Sequence, residues 1–208
     1  MGQKSGVLER EVQFHASDGL VVPAFVAEPA GASGAARIVI APEIFVRDPE
    51  PVGSDMESWR ARIGRLDIPQ AVRDLRAALS QLEGGKAACI GFCLGGALSL
   101  LVAAEGGLAA CVDCYGRPRW MQPTKAENAI DAARRIRCPV LGIYGKRDTG
   151  IPVADAEALR GVLPEGSEVA FYEAGHAFLN DTRPQMYVAD QATLAWAKIA
   201  GFLRRHLG

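Results

Sequence analysis

The chain has 208 residues, 49% apolar and 23% charged, and 23 Lys+Arg against 24 Asp+Glu leave a net charge of −1 with the histidines neutral. That length points to one domain, residues 1–208, able to bury a core without metal or disulfide support. The composition excludes disorder and a coiled coil, and the charge balance excludes the broad positive field of a nucleic-acid binder. Five cysteines in no secreted-scaffold pattern, with Lys4, Glu9 and Arg10 where a signal peptide needs an apolar core, fit a reducing cytoplasm. Residues 87–104 carry no charge, but Gly91, Gly95 and Gly96 divide them into strand, turn and helix rather than a membrane span.

Residues 11–16 alternate apolar and polar, Ser17-Asp18-Gly19 is a turn, and residues 20–27 return as a second strand, so the chain opens on a hairpin. Pro23 places the second strand at a sheet edge. Residues 37–41 read as a buried parallel strand, and residues 46–66, rich in Pro, Gly and polar side chains, as loop. Asp67 can cap a helix carrying Ile68, Val72, Leu75, Leu79 and Leu82 on one stripe, ended by Gly84-Gly85. Strands over 87–92, 109–115, 139–145 and 168–173 then alternate with helices over 94–104, about 125–136 and 153–163. A last helix from about Pro184 to His206 sets Val188, Ala192, Ala195, Ile199 and Phe202 on one face. Such alternation predicts an α/β fold, a mostly parallel sheet with helices on both faces behind an N-terminal antiparallel hairpin.

In open α/β sheets the chemistry sits beyond the carboxyl ends of the strands. After strand 87–92 comes Gly91-Phe92-Cys93-Leu94-Gly95-Gly96, a nucleophile elbow with cysteine in the place of serine. Its small residues, two positions either side of the nucleophile, let strand and helix backbones meet, and the helix N-terminus favours a thiolate. An isolated cysteine in a glycine-rich turn reads as structural; the surrounding pattern makes Cys93 the candidate nucleophile. Of the three histidines, His15 lies on the hairpin and His206 in the last helix, whereas His176 follows the last strand and is the candidate base. Asp148, just past strand 139–145, is the candidate orienting acid; Asp181 is an alternative, but shares the loop of His176 and reads as a turn residue. The order Cys93, Asp148, His176 is the α/β-hydrolase order of nucleophile, acid and base.

Glu43, past strand 37–41, reads either as a solvated loop carboxylate or as a group that bonds the thiol and holds the elbow open. Backbone N–H groups of Leu94 and Ile44 are placed to form an oxyanion hole. Arg47, Tyr115 and Asn180 are candidate substrate contacts. Cys111-Val112-Asp113-Cys114 is a C-x-x-C inside a strand with no second ligand pair, a poor match to zinc or thioredoxin chemistry. No G-x-G-x-x-G, Walker loop or H-E-x-x-H occurs, so the expectation is no cofactor and no metal.

These residues resemble the dienelactone hydrolase family, the carboxymethylenebutenolidases. The similarity is carried by residues 38–45 (IVIAPEIF), 91–97 (GFCLGGA), 145–148 (GKRD) and 174–178 (AGHAF), and with the hairpin it covers nearly the whole chain. The resemblance implies an α/β-hydrolase fold and a Cys93–His176–Asp148 triad, with Glu43 helping to form the thiolate once substrate binds. It also implies hydrolysis of an enol-lactone, dienelactone to maleylacetate, in the breakdown of aromatic compounds. In two respects the chain departs from the family pattern. Phe45 runs directly into the 46–66 loop, as though one helix–strand unit between Phe45 and Asp67 were missing. Family members hold the lactone carboxylate with arginines, one of them four residues after the histidine, where this chain has Asn180; Arg47, Arg60, Arg62 and Arg183 are the nearby arginines.

The expected function is hydrolysis of a lactone or activated ester through a Cys–His–Asp triad. The expected partner is a small-molecule substrate, with no nucleic acid and no membrane, for a monomer or weak homo-oligomer. The alternative is a shortened, non-catalytic member that binds a ligand or partner. A further reading, thiol redox chemistry at Cys93 or at Cys111 and Cys114, is weaker.

Overall fold

The computed structural model describes residues 7–15, 19, 21–29, 35–42, 66–120 and 126–208, with backbone only at 14, 22, 23 and 29. Strands β1 (Val7–His15) and β2 (Val21–Pro29) pair antiparallel, Val7 opposite Pro29 and His15 opposite Val21. Both strands outrun the predicted 11–16 and 20–27. Once the alternating segment pairs, ladder hydrogen bonds carry polar residues along with it, and Arg10 meets Glu28 across the strands at 3.3 Å. The hairpin is a sheet of its own, with Leu8, Val21 and Phe25 exposed.

Five parallel strands form the second sheet: β3 (Arg37–Ala41), β4 (Ala87–Phe92), β5 (Ala110–Cys114), β6 (Val140–Gly145) and β7 (Glu168–Tyr172). Their spatial order is their chain order, so every crossover steps to the next place in the sheet. The predicted strand over 37–41 has the expected bounds but is not buried throughout. It is one of the two edge strands among the described residues, and its Ile40 is 59% exposed while Val39 and Ala41 are buried.

Helix α1 (Ile68–Ser80) starts as predicted, its Asp67 side chain accepting from the Gln70 N–H at 2.9 Å. Ile68 and Val72 are buried, and Leu75 and Leu79 pack behind them against Val39, Cys89, Leu98 and Leu101. Helix α2 (Leu94–Ala104) is buried from Gly95 to Ala103. Helix α3 (Ala129–Ala133) is far shorter than the predicted 125–136. Asn128 is extended and its side-chain oxygen accepts from the Trp120 N–H, while the Ile130 N–H donates to the Pro118 carbonyl. The first turn is thus tied to the preceding loop. Helix α4 (Val153–Arg160) stops at Gly161, ahead of Pro164. Helix α5 (Ala189–Leu207) starts later than predicted, because residues 180–188 fold into turns that return the Val188 N–H to the Phe178 carbonyl. Its buried face is Ala192, Ala195, Ile199 and Phe202, as the spacing predicts.

Helices α1 to α4 pack in series on one face of the sheet, and α5 crosses β4, β5 and β6 on the other. The core between them is apolar apart from Ser99, Asp113 and Asp148, and among the described residues no buried side-chain polar atom lacks a partner. No described helix is long and apolar enough to cross a membrane.

Candidate active site

The sharp turn from β4 into α2 is made by Cys93, whose φ of 55° and ψ of −118° lie outside the ordinary regions for a non-glycine residue. The fold holds that strain by leaving no room for side chains around it. A Cβ on Gly91 would overlap the Gly95 carbonyl, and one on Gly95 would overlap the carbonyls of Ala41 and Pro42. The elbow is also tied sideways, the Cys93 N–H donating to the Cys114 carbonyl of β5 at 3.0 Å. Cys93 is left 7% exposed at the start of α2.

Asp148 and His176 come from neighbouring loops that the backbone zips together. The Lys146 N–H donates to the Tyr172 carbonyl and the Arg147 N–H to that of Ala174, and Gly145 lies so close to Ala174 that a Cβ would overlap its carbonyl. Asp148 Oδ1 accepts from the Gly150 and Ile151 N–H groups at 2.8 and 3.1 Å. That leaves Oδ2, on a side chain 1% exposed, facing His176 Nδ1 at 2.6 Å. The other ring nitrogen, Nε2, lies 3.2 Å from Cys93 Sγ. Three side chains from the ends of β4, β6 and β7 therefore form one continuous chain of contacts.

Burial disfavours a charged His176, yet the hydrogen bonds and charges of Asp148 and Cys93 outweigh it and raise the imidazole from 6.5 to about 10. A cationic imidazole beside a cysteine sulfur is the arrangement on which thiol catalysis relies. The Tyr115 ring meets the imidazole edge-on at 5.3 Å between centroids and Phe178 at 6.0 Å. Tyr115 and Ala177 are, with Cys93, the non-glycine residues of positive φ among those described. Backbone strain is concentrated where functional sites store it.

The structure brings together Cys93, Asp148, His176 and Tyr115, and sets Leu94 as the first residue of α2, its N–H among those a helix start leaves without an intrahelical partner. Asn180 is engaged within its own turn, its side-chain oxygen accepting from the Thr182 N–H and hydroxyl at 3.1 and 2.6 Å. Glu43, Ile44, Arg47, Arg60 and Arg62, with the supposed gap between Phe45 and Asp67, lie outside the described residues. Asp181 makes no contact with His176 among the described hydrogen bonds and ion pairs. Cys111 and Cys114 are buried and form no disulfide, and burial pushes Cys111 well above its usual range, away from redox reactivity. Among the described residues no His, Cys, Asp and Glu cluster could hold a metal ion. Sequence reasoning passed over Asp113 and Tyr144, which hydrogen-bond each other beneath the elbow. The available signal was one carboxylate in the otherwise apolar strand ACVDC.

A parallel sheet with a strained elbow between β4 and α2 defines the α/β-hydrolase class. Residues 34–207 match the model of the dienelactone hydrolase family, and the chain belongs to that family of hydrolases. A protein of Methylorubrum extorquens, provisionally named a carboxymethylenebutenolidase, is 30% identical over 245 aligned positions covering 97% of this chain and 82% of the relative. Since 97% of 208 residues is about 202, roughly 43 of those positions have no counterpart here. The carboxymethylenebutenolidase of Pseudomonas putida is 29% identical, covering 79% of this chain and 72% of its own. A crystal structure from Klebsiella pneumoniae, provisionally titled a dienelactone hydrolase, superposes with a TM-score of 0.84 at 25% identity, over 96% of this chain and 99% of that one.

Proposed function

We propose that this hydrolase opens a lactone or activated ester by thiol catalysis, with Cys93 as nucleophile, His176 as base and then acid, and Asp148 holding the imidazole. The carrying observation is the pair of contacts at His176, 3.2 Å to Cys93 Sγ and 2.6 Å to Asp148. Asp148, given two backbone donors on its other oxygen, fixes the ring and stabilises its charged form. Sγ attacks the carbonyl carbon, and the resulting oxyanion takes a hydrogen bond from the Leu94 N–H. As the tetrahedral adduct collapses, the C–O bond breaks and His176 protonates the departing oxygen, leaving a thioester on Cys93. Water then gives a proton to His176, attacks the thioester and returns the thiol. No step needs a cofactor.

Glu43 and Ile44, which follow the Ala41-Pro42 end of β3 beside the elbow, are the remaining candidates for thiol activation and the second oxyanion donor. Tyr115 and, more remotely, Arg47 and Asn180 are candidate contacts to the rest of the substrate. An enol-lactone of the dienelactone type is the substrate the family membership favours, in a single-domain cytoplasmic enzyme. The test is hydrolysis of cis- and trans-dienelactone and of p-nitrophenyl acetate by wild type and Cys93→Ala, with folding checked by circular dichroism. Lactone turnover that falls by at least about 10³-fold in the variant is expected. Ester turnover alone would keep the thiol mechanism and discard the lactone. A folded wild type with no turnover on either would favour a non-catalytic ligand binder.

A further inference from the structure

Asp113 is the carboxylate the mechanism leaves unused. It is fully buried on β5, and its register partners on both neighbouring strands, Gly91 on β4 and Gly142 on β6, have no side chain. Its Oδ1 accepts from the Gly116 N–H at 2.8 Å. The Tyr144 hydroxyl lies against Oδ2 and also 3.1 Å from the Gly116 carbonyl. A Cβ on either Gly96, in the first turn of α2, or Gly116 would overlap Oδ1. The carboxyl group is thus wedged between the elbow helix and the turn that carries Tyr115, whose φ is 43° and whose ring abuts His176.

We propose that the ring of Asp113, Tyr144 and Gly116 is a positioning device for His176: it locks the strained Tyr115–Gly116 turn, and Tyr115 in turn buttresses the imidazole. This rests on the reading of His176 as the catalytic base. Proton counting defines the ring's working form. Tyr144 has one hydroxyl proton and faces two acceptors. If Asp113 is a neutral acid, it donates to the Tyr144 oxygen, Tyr144 donates to the Gly116 carbonyl, and the Gly116 N–H donates back to Oδ1. All three bonds close. An ionised Asp113 takes the Tyr144 proton for itself and leaves the Gly116 carbonyl without that donor.

The surroundings favour the neutral form. Against Asp113 lie the Tyr144 hydroxyl from β6, the Gly116 N–H, the Gly96 backbone of α2, its register partners Gly91 and Gly142, and Cys111 on its own strand, none charged at neutral pH. Arg117, next after Gly116, reaches instead toward Gly150. Burial, only partly offset by the Tyr144 and Gly116 hydrogen bonds, raises Asp113 from 3.8 to about 7. Between those values the unfolded chain has released a proton that the fold retains, so stability falls as pH rises from 3.8 to about 7.

Asp113→Asn keeps the ring at every pH, since its amide N–H can donate to Tyr144 and its oxygen can accept from Gly116. Tyr144→Phe breaks it. The experiment records kcat against pH with p-nitrophenyl acetate, and by NMR the downfield ring N–H of His176, in wild type, both variants and Cys93→Ala. Wild type is expected to lose kcat above about pH 7 with a matching shift of the His176 resonance, and Asp113→Asn to show neither. Tyr144→Phe should lower kcat by about tenfold with KM little changed, and displace the resonance while remaining folded. An Asp113→Asn that tracks wild type in both readouts, or a Tyr144→Phe with an undisturbed resonance, overturns the positioning role. Turnover surviving in Cys93→Ala would instead sink the thiol mechanism. The resonance, which needs no turnover, still decides whether the ring holds His176.

Discussion

Ile40 and Ile90 are register partners on adjacent parallel strands, yet Ile40 is 59% exposed and Ile90 5%. The difference is one of position in the sheet. Every residue of β4 but Phe92 is buried, because β4 has a strand on each side, α1 and α2 on one face and α5 on the other. Strand β3 has one neighbour, and on the face opposite Val39 no described helix covers its outer end. The candidate site hangs from the ends of β4, β6 and β7, of which β4 and β6 lie inside the sheet and β7 is its other edge among the described residues. The candidate nucleophile and acid thus rest on inner strands, away from the β3 edge.

The largest effect expected from disturbing the central half is on catalysis. Asp148→Asn removes the charge that holds the His176 proton, so kcat should fall by about 10³–10⁴-fold. With the limb near 7 removed by Asp113→Asn, the remaining alkaline limb of the pH profile should move down from about 10 toward the ordinary imidazole range. The same raised imidazole gives stability that is complete below 6.5 and lost as pH climbs through about 10. Thermal melts against pH should show that loss in wild type and a smaller one in the variant. A limb that stays put in Asp148→Asn would mean that Asp148 does not set the state of His176.

Gly95→Ala comes next. Its new Cβ meets only backbone, the Ala41 and Pro42 carbonyls, so no side chain can yield. Urea unfolding should show a loss of about 3 kcal/mol or no folded protein. The isoleucine pair then gives the sharpest contrast. Ile90→Ala should cost about 2–5 kcal/mol as a core truncation, and Ile40→Ala about 0.5 kcal/mol or less. Equal losses in chemical denaturation would mean that the β3 edge is as closely packed as the centre.

The sequence was most legible where one physical signal acts alone. The stripe of α5, the Asp67 cap and the strand runs on either side of Cys93 all appear at or near their predicted places, because apolar periodicity and capping are local. Helix α3 shrank because Asn128 and Ile130 are committed to the Trp120–Pro118 loop, a tertiary contact that periodicity does not see. Strand β3 read as buried because four of its five residues are apolar, while burial depends on what lies alongside. The three side chains at the strand ends could be nominated from chain order and elbow spacing. Their contact distances depend on Gly145 admitting Ala174 and on the Asp148 turn, which no motif encodes. Asp113 escaped notice because its two cysteine neighbours drew the reading toward metal and redox chemistry.

The most direct measurement is mass spectrometry of the protein acid-quenched during p-nitrophenyl acetate turnover, with peptide mapping of the adduct. One acetyl group on Cys93, absent from Cys93→Ala, is the expected result. Turnover with Cys93 unmodified and the acetyl group elsewhere, or with hydrolysis continuing in Cys93→Ala, would contradict a thiol nucleophile at the elbow.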